Sequence, residues 1–278
     1  MKFPGGREKA FTLSYDDGIR QDKKLVGIFN KYGLKCTFNI NSGLTGDESQ
    51  SDKPDGRMSW KEMKATYAGH EIALHALTHP FLEQLTPAQA TTEVISDRLN
   101  IEKELGVITR GMAYPYGTYN DTVVEILKNS GIAYCRTTHA TNGFGLPQNW
   151  LTLYPTTHHA NPKLFELIDA FTKDEHRTNP VPMMFYLWGH SYEFDRNDEY
   201  SNWERAEQFC EKLAGHEDKI WYATNIEIYD YTMQFNRLIF SADGSIVYNP
   251  TSTELYFAAG IGGRYKDYCI SAGETLKI

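Results

Sequence analysis

Short β-rich runs alternate with longer amphipathic helical patterns through most of this chain, and that rhythm admits few folds. Strands separated by helical crossovers pair in parallel, because a parallel return needs a dozen or more residues. The β-rich runs fall at residues 10–15, 35–40, 71–75, 111–114, 133–137, 183–188 and 220–223, and the helical patterns at 21–31, 60–66, 87–105, 121–129, 162–172 and 203–214. Local signals support the helix starts: Thr86-Pro87 with Gln89 supplies an N-cap, an N1 proline and a capping-box partner, and Asn161-Pro162 repeats the cap and proline. Seven strands with a helix after most of them, and with the chemistry-bearing residues gathered at strand C-terminal ends, predict an α/β fold, a (β/α) barrel of seven to eight strands, with an open doubly wound sheet as the alternative.

After about residue 235 the texture changes to hairpin segments around Asp243-Gly244 and Asn249-Pro250. The expected division is a barrel over residues 1–234 and a small all-β appendage over 235–278. Four tyrosines there, Tyr248, Tyr256, Tyr265 and Tyr268, are expected to pack against the barrel, and Gly260-Ile261-Gly262-Gly263 reads as a turn, since no helix start follows it.

A chain of 278 residues with 41% hydrophobic and 23% charged residues buries a large core. Its net charge of −8, with the negative charges not gathered in one run, argues against nucleic acid as a partner. No stretch of about 18 apolar residues marks a membrane span, and the first residues lack the apolar run of a signal sequence, so the expected location is the cytoplasm. Cys36, Cys135, Cys210 and Cys269 lie far apart and read as reduced, buried residues.

Asp16 and Asp17 close the first β-rich run and Gly18 follows at once. Two adjacent carboxylates repel unless a positive charge sits beside them, and a divalent cation with two neutral imidazoles would supply it. His75 and His79 are the candidates, brought together by a strand end and a tight loop, because Pro80 disfavours a helical His79. Tyr114-Pro115-Tyr116-Gly117 forms a rigid turn at a fourth strand tip, able to aim a backbone N–H at a developing oxyanion. His190, after Trp188-Gly189, is suited to general acid work near neutral pH.

The series Ser14-Tyr15-Asp16-Asp17-Gly18, His75-Ala76-Leu77-Thr78-His79, Tyr114-Pro115-Tyr116-Gly117 and Leu187-Trp188-Gly189-His190 resembles, in order and spacing, the motifs of the polysaccharide deacetylases, the NodB-homology or carbohydrate esterase family 4 enzymes. The resemblance spans about residues 9 to 230. It implies a distorted (β/α) barrel and a divalent metal, most often zinc, with cobalt, manganese or nickel as alternatives. By motif position Asp17, His75 and His79 would be the metal ligands, Asp16 the general base and His190 the general acid. The Tyr116 backbone N–H would face the oxyanion, and Trp188 would offer an apolar wall to the acetyl methyl or a sugar face.

Two departures stand out. The arginine that opens the third motif in this family is Ala113 here, and the aspartates of a fourth motif are missing from residues 136–142. Arg136, at the adjacent strand tip, is expected to replace the missing cation beside Asp16. The function expected is removal of N-acetyl groups from an acetamido sugar or glycan, with a carbohydrate or small acetylated molecule as partner. An O-acetyl esterase, a hydrolase of a non-sugar amide or imide, and a non-catalytic glycan-binding protein remain open.

Overall fold

A computed structural model describes residues 1–46, 56–173, 181–261 and 264–278. The chain runs β1 (Lys9–Asp16), α1 (Asp22–Lys31), β2 (Cys36–Ile40), α2 (Trp60–Thr66), β3 (Glu71–Leu74), α3 (Pro87–Leu105), β4 (Gly111–Ala113), α4 (Asp121–Asn129) and β5 (Tyr134–Arg136). It continues through β6 (Thr157–His158), α5 (Leu164–Thr172), β7 (Met183–Gly189), α6 (Trp203–Leu213), β8 (Ile220–Tyr222) and α7 (Asn225–Phe235).

These strands form one parallel sheet in the order β5-β4-β3-β2-β1-β7-β6, with β8 also on β1. β1 is its centre. It pairs along its length with β7, while its other edge is shared: Lys9 to Phe11 pair with β8 and Leu13 to Asp16 with β2. The segment before β6 draws the two ends of the sheet together. The Leu153 N–H donates to Cys135 O at 2.9 Å and the Leu153 carbonyl accepts from Thr137 N at 2.8 Å, while Thr157 and His158 pair with β7. The sheet therefore curls into a barrel, as the strand–helix rhythm predicts, of the distorted kind that the family resemblance implies.

Side-chain alternation gives this barrel an unusual lining. Phe11, Leu13 and Tyr15 of β1 pack outward with helix residues such as Leu25, Phe29, Phe209 and Leu213. Thr12, Ser14 and Asp16 are the buried polar set between them. Thr12 Oγ1 donates to Asn225 Oδ1 at 2.7 Å, Asn225 Nδ2 donates to the Tyr186 hydroxyl at 2.6 Å, and Thr37 Oγ1 donates to Glu71 Oε2 at 2.7 Å. A polar network thus fills the barrel beneath the site, and these hydrogen bonds offset the desolvation of its members, whereas Asn39 Oδ1, Thr137 Oγ1 and Arg136 Nε are buried without a hydrogen bond.

The cap read from sequence is present at α3, where Thr86 and Gln89 form the capping box and Gly106 ends the helix at φ 71°. At α5 it is not: the helix begins at Leu164 with Lys163 at the N-cap and no side-chain cap, and Asn161 Oδ1 instead accepts from the Lys163 N–H at 2.9 Å in the turn before it. Two further elements differ from expectation. β6 is a two-residue strand with too little pattern to register, and α7 begins at Thr224-Asn225-Ile226-Glu227, a capping box that is a helix start and not a strand end.

The C-terminal segment holds β9 (Ile239–Phe240), β10 (Ile246–Tyr248), β11 (Leu255–Ile261), β12 (Arg264–Ile270) and β13 (Thr275–Lys277). They form a three-stranded sheet, β13-β10-β9, and the β11-β12 hairpin. Gly262 and Gly263 of the glycine-rich turn lie outside the described residues. Val247, Leu255, Phe257 and Ile270 pack in one cluster with Phe3, Ala10, Ala223, Ile228 and Tyr231, so the tail closes the barrel end opposite the strand C-termini. Of the four tyrosines, Tyr248 and Tyr265 are exposed instead of packed. Cys36, Cys135 and Cys210 are buried free thiols, whereas Cys269 is exposed, against expectation, on the outer hairpin. Among the described residues no helix is long and apolar enough to cross a membrane.

Candidate active site

The C-terminal ends of β1, β3, β4, β5 and β7 bring Asp16, His75, the Tyr116 turn, Arg136 and His190 to one mouth, and Asp16 stands at its centre. Its carboxylate is 2% exposed. Oδ1 accepts from Asn39 Nδ2 at 2.8 Å, Oδ2 accepts from Arg136, and His75 Nε2 and His190 Nε2 each lie 3.9 Å from that same Oδ2. Burial works to raise its pKa, but the Arg136 guanidinium, then His75 and His190, outweigh burial and hold the carboxyl below its ordinary value. Arg136 is itself fully buried and its guanidinium lies over the Trp188 ring at 4.4 Å. The cation therefore reaches Asp16 from β5, where the residue before Tyr114 is alanine.

Asp16 and Asp17 diverge because the strand runs through Asp16 and the chain turns at Asp17 itself, which takes φ 86°, before Gly18. The Asp17 N–H still donates to Asn39 O at 2.9 Å. Arg57 donates to the Asp17 backbone carbonyl, and its guanidinium lies 3.4 Å from Oδ1. Four non-glycine residues at the mouth, Asp17, Ala76, His79 and Tyr116, have positive φ. Such backbone strain persists only where the surroundings impose it.

The His75 backbone N–H meets Ile40 O at 2.9 Å and Asp97 Oδ2 of α3 at 3.1 Å, and Asn41 donates to its carbonyl. The His75 ring places Nδ1 2.8 Å from Ala113 O, which assigns the proton to Nδ1 and leaves the Nε2 lone pair facing the mouth. Burial lowers the pKa of His75 to about 4 and also lowers that of His79, so both imidazoles are neutral near pH 7. Their rings meet edge to face at 4.7 Å. Donor atoms of Asp17, His75 and His79 lie within 4.8 Å of one another. One carboxylate and two neutral imidazoles, that of His75 with its tautomer set by Ala113 O, are a donor set that fits a divalent ion.

Tyr116 sits in the turn Pro115–Gly117 with φ 59°, stacked on Phe81 at 3.8 Å and edge-on to His79 at 4.6 Å. Gly117 is required there. A Cβ would stand 2.2 Å from Thr138 Oγ1 and 2.7 Å from its backbone nitrogen.

His190 follows β7. Its Nδ1 is 3.3 Å from Glu193 Oε2, and its backbone N–H donates to the same oxygen at 3.1 Å. Burial alone would lower its pKa, but the Glu193 hydrogen bond and the Asp16 charge outweigh it and raise it. Glu193 Oε2 also meets His158 Nε2 at 2.9 Å and His159 Nε2 at 3.3 Å, and its carboxyl is held well below the usual range by these imidazoles against the effect of burial. His158, His190 and Glu193 form a second group with donor atoms within 4.8 Å. Here the tautomer points away from a metal. The Ala160 N–H donates into His158 Nδ1 at 3.1 Å, so Nε2 carries the proton and donates to Glu193. His159 packs over Gly189, where a Cβ would stand 2.0 Å from its Nδ1.

All eight residues singled out in the sequence therefore border this mouth: Asp16, Asp17, His75, His79, Tyr116, Arg136, Trp188 and His190. Asn39, Arg57, Asp97, Phe81, His158 and His159 are additions. The His158-His159 pair was visible as a dipeptide, but the two-residue strand that aims it was not.

Residues 4–135 match the family model described as polysaccharide deacetylase, which covers Asp16 to Tyr116 and stops before Arg136. The chain is 26% identical over 117 residues to YlxY of Bacillus subtilis, covering 42% of this chain and 34% of that protein. It is 27% identical over 139 residues to chitin deacetylase 1 of Cryptococcus neoformans, covering 49% of this chain and 27% of the relative. The chain thus spans well under half the length of these curated relatives. In fold it is similar to the peptidoglycan deacetylase PdaC of Bacillus subtilis, with a TM-score of 0.51, 16% identity, and coverage of 84% of this chain and 96% of that one. The matched stretch, the ordered motifs and the curled parallel barrel agree: residues 4–135 are similar in sequence to the polysaccharide deacetylases, and the chain shares their fold.

Proposed function

We propose that this chain is a metal-dependent hydrolase that removes N-acetyl groups from an acetamido sugar or glycan. The observation that carries the reading is Asp16 Oδ2, placed 3.9 Å from His75 Nε2 on one side and 3.9 Å from His190 Nε2 on the other, with a buried guanidinium behind it. A carboxylate kept ionised between a candidate ligand and a candidate proton donor is suited to general base work.

Asp17, His75 and His79 would hold the ion. Zinc suits two imidazoles and a carboxylate, and cobalt, manganese or nickel accept the same donors. A divalent ion there supplies Lewis acidity to the acetyl carbonyl and makes water easier to deprotonate. Asp16 takes the proton from the attacking water, and Arg136 keeps the carboxylate ready for it. The Tyr116 N–H donates to the oxyanion of the tetrahedral intermediate. His190, oriented by Glu193, passes its Nε2 proton to the departing nitrogen, which would otherwise leave as a poor amide anion. Trp188, against Arg136, walls the acetyl side. Peptidoglycan and chitin, named for two of the relatives, are both acetamido glycans, which favours that substrate class over an O-acetyl ester.

The test is acetate release from N-acetylglucosamine oligomers, with O-acetylated xylan as the ester control and metal content measured alongside. Release should fall at least about 100-fold on chelation and return with zinc. Asp16→Asn should keep the metal and lose about 100- to 10,000-fold in rate. Bound metal with no acetate from any acetylated substrate would overturn the reading in favour of a glycan-binding protein.

A further inference from the structure

The proton donor of this site is flanked by two carboxylates, an arrangement that creates a difficulty. Asp16 faces His190 Nε2 at 3.9 Å and Glu193 faces Nδ1 at 3.3 Å. An imidazole held between two anions binds its proton firmly, whereas a good general acid must release it near the working pH. Something has to weaken one of the two partners. For Asp16 the structure offers Arg136. For Glu193 the closest contact on Oε2 is His158 Nε2, at 2.9 Å.

We propose that His158 is a positioning residue that tempers the proton donor: its Nε2–H occupies the same Glu193 Oε2 that faces His190 Nδ1, so that the carboxylate clasps His190 less tightly and the proton can be given up. The proposal rests on the reading of His190 as the general acid.

Four observations support it. The tautomer of His158 is set by the Ala160 N–H entering Nδ1, so the ring presents an Nε2–H donor to Glu193. Glu193 does not depend on His158 for its place, because Oε1 is 3.2 Å from Arg196 and Oε2 accepts from the His190 backbone N–H. His159, the other ring on Oε2, is wholly enclosed and its proton affinity is driven far down by burial, so it adds no charge. His158 is 24% exposed along its side chain and meets water directly. The remaining groups that face His190 are Trp188, with rings at 5.7 Å, Tyr192 at 5.2 Å, and Asp17 through its charge. His75, 3.9 Å from the shared Asp16 oxygen, and Arg136 complete the electrostatic surroundings.

Two imidazoles that share one carboxylate oxygen are anticooperative. Whatever share of the lone-pair density His158 takes, His190 loses, and removing His158 returns it. Competition for a common acceptor therefore fixes the sign: loss of His158 tightens the hold on the His190 proton.

The experiment is an imidazole NMR titration of His190 in the full chain, read together with the alkaline limb of the kcat/KM profile on an N-acetylated oligomer. His158→Phe and His158→Asn, the one bulky and apolar, the other too short to reach Oε2, should each move the His190 titration and the alkaline limb upward by roughly half to one pH unit, a three- to tenfold gain in proton affinity. His158→Gln, whose amide can still donate to Oε2, should stay close to wild type. Unchanged or lowered titration in the variants that lack the donor, or an equal shift in His158→Gln, overturns the proposal. Failure of the underlying reading looks different: His190→Ala would then keep full acetate release from the amide, whatever the titration of His190 shows.

Discussion

Asp16 and Arg136 show what one contact contributes at the scale of single residues. The guanidinium has no solvent on any side and the carboxylate almost none, so each is tolerable only because of the other. Removing one partner of such a pair strands a buried charge, at a cost of about 3–5 kcal/mol. Arg136→Ala should therefore lower the unfolding free energy by about that much and move the acid limb of the pH–rate profile upward. The sign follows from the depressed Asp16 pKa: its stabilisation is complete above the ordinary carboxyl value near 4 and is lost as pH falls through the lower folded value, whereas without Arg136 only His75 and His190 oppose the effect of burial and the pKa rises. Chemical denaturation at pH 5 and 8, with the rate profile, checks both. An unchanged profile would mean that Arg136 has no part in holding the base. This contact was legible from the sequence through a substitution pattern, Ala113 where an arginine is expected and Arg136 at the next strand tip. Asn39, Arg57 and Asp97 were not legible. Each is a lone polar residue in an otherwise ordinary strand, loop or helix, and only the fold reveals that it touches Asp16, Asp17 or the His75 backbone.

Between elements, α7 illustrates how a signal can be present and yet assigned to the wrong structure. Thr224 and Glu227 are spaced as a capping box, but they follow a β-rich run so closely that they read as its polar end. In the fold Thr224 caps α7, and the Ile226 N–H in its first turn donates to Glu71 Oε2 at 2.9 Å, across the barrel end opposite the mouth. Glu71 also accepts from Tyr134 Oη at 2.7 Å and from Thr37, so one carboxyl ties α7, β2 and β5 to β3. Burial raises its pKa to about 7 despite these donors, and it raises Asp22 and Asp97 to about 7 in the same way. A carboxyl raised in the folded state contributes stability that is complete below the unfolded value, near 4.3 for Glu, and is lost as pH rises through the folded value. Glu71→Gln removes the ionisation and keeps an acceptor oxygen. Its unfolding free energy should decline less than that of wild type between pH 4 and 7, with the difference read from urea midpoints at several pH values. A parallel decline in both proteins would show that Glu71 is already ionised in the fold.

At the scale of the whole molecule the barrel and the C-terminal strands are joined through one apolar cluster, in which Phe257 and Ile270 of the hairpin meet Phe3, Ala10 and Tyr231. The N-terminus is part of the joint: Lys2 pairs with Tyr256 of β11 in an antiparallel bridge, and the Tyr231 hydroxyl donates to the Lys2 carbonyl at 2.8 Å. Hairpin signals in the sequence showed where the texture changes, but not that residues at the other end of the chain complete the same core, since pairing across more than 250 residues leaves no periodic trace. A shared core makes the two parts one cooperative unit, because opening the hairpin exposes barrel residues as well. Phe257 is 2% exposed, and Phe257→Ala should cost about 3–5 kcal/mol through lost burial and the cavity left behind. That loss should lower the thermal midpoint of the single transition, with barrel tryptophan fluorescence and far-UV circular dichroism falling together. Two separated transitions, with the barrel signal unmoved by the substitution, would instead make residues 235–278 an independent appendage. In that event the tail stabilises only itself, and the mouth some distance above it would keep its geometry, and its rate, when the tail is loosened.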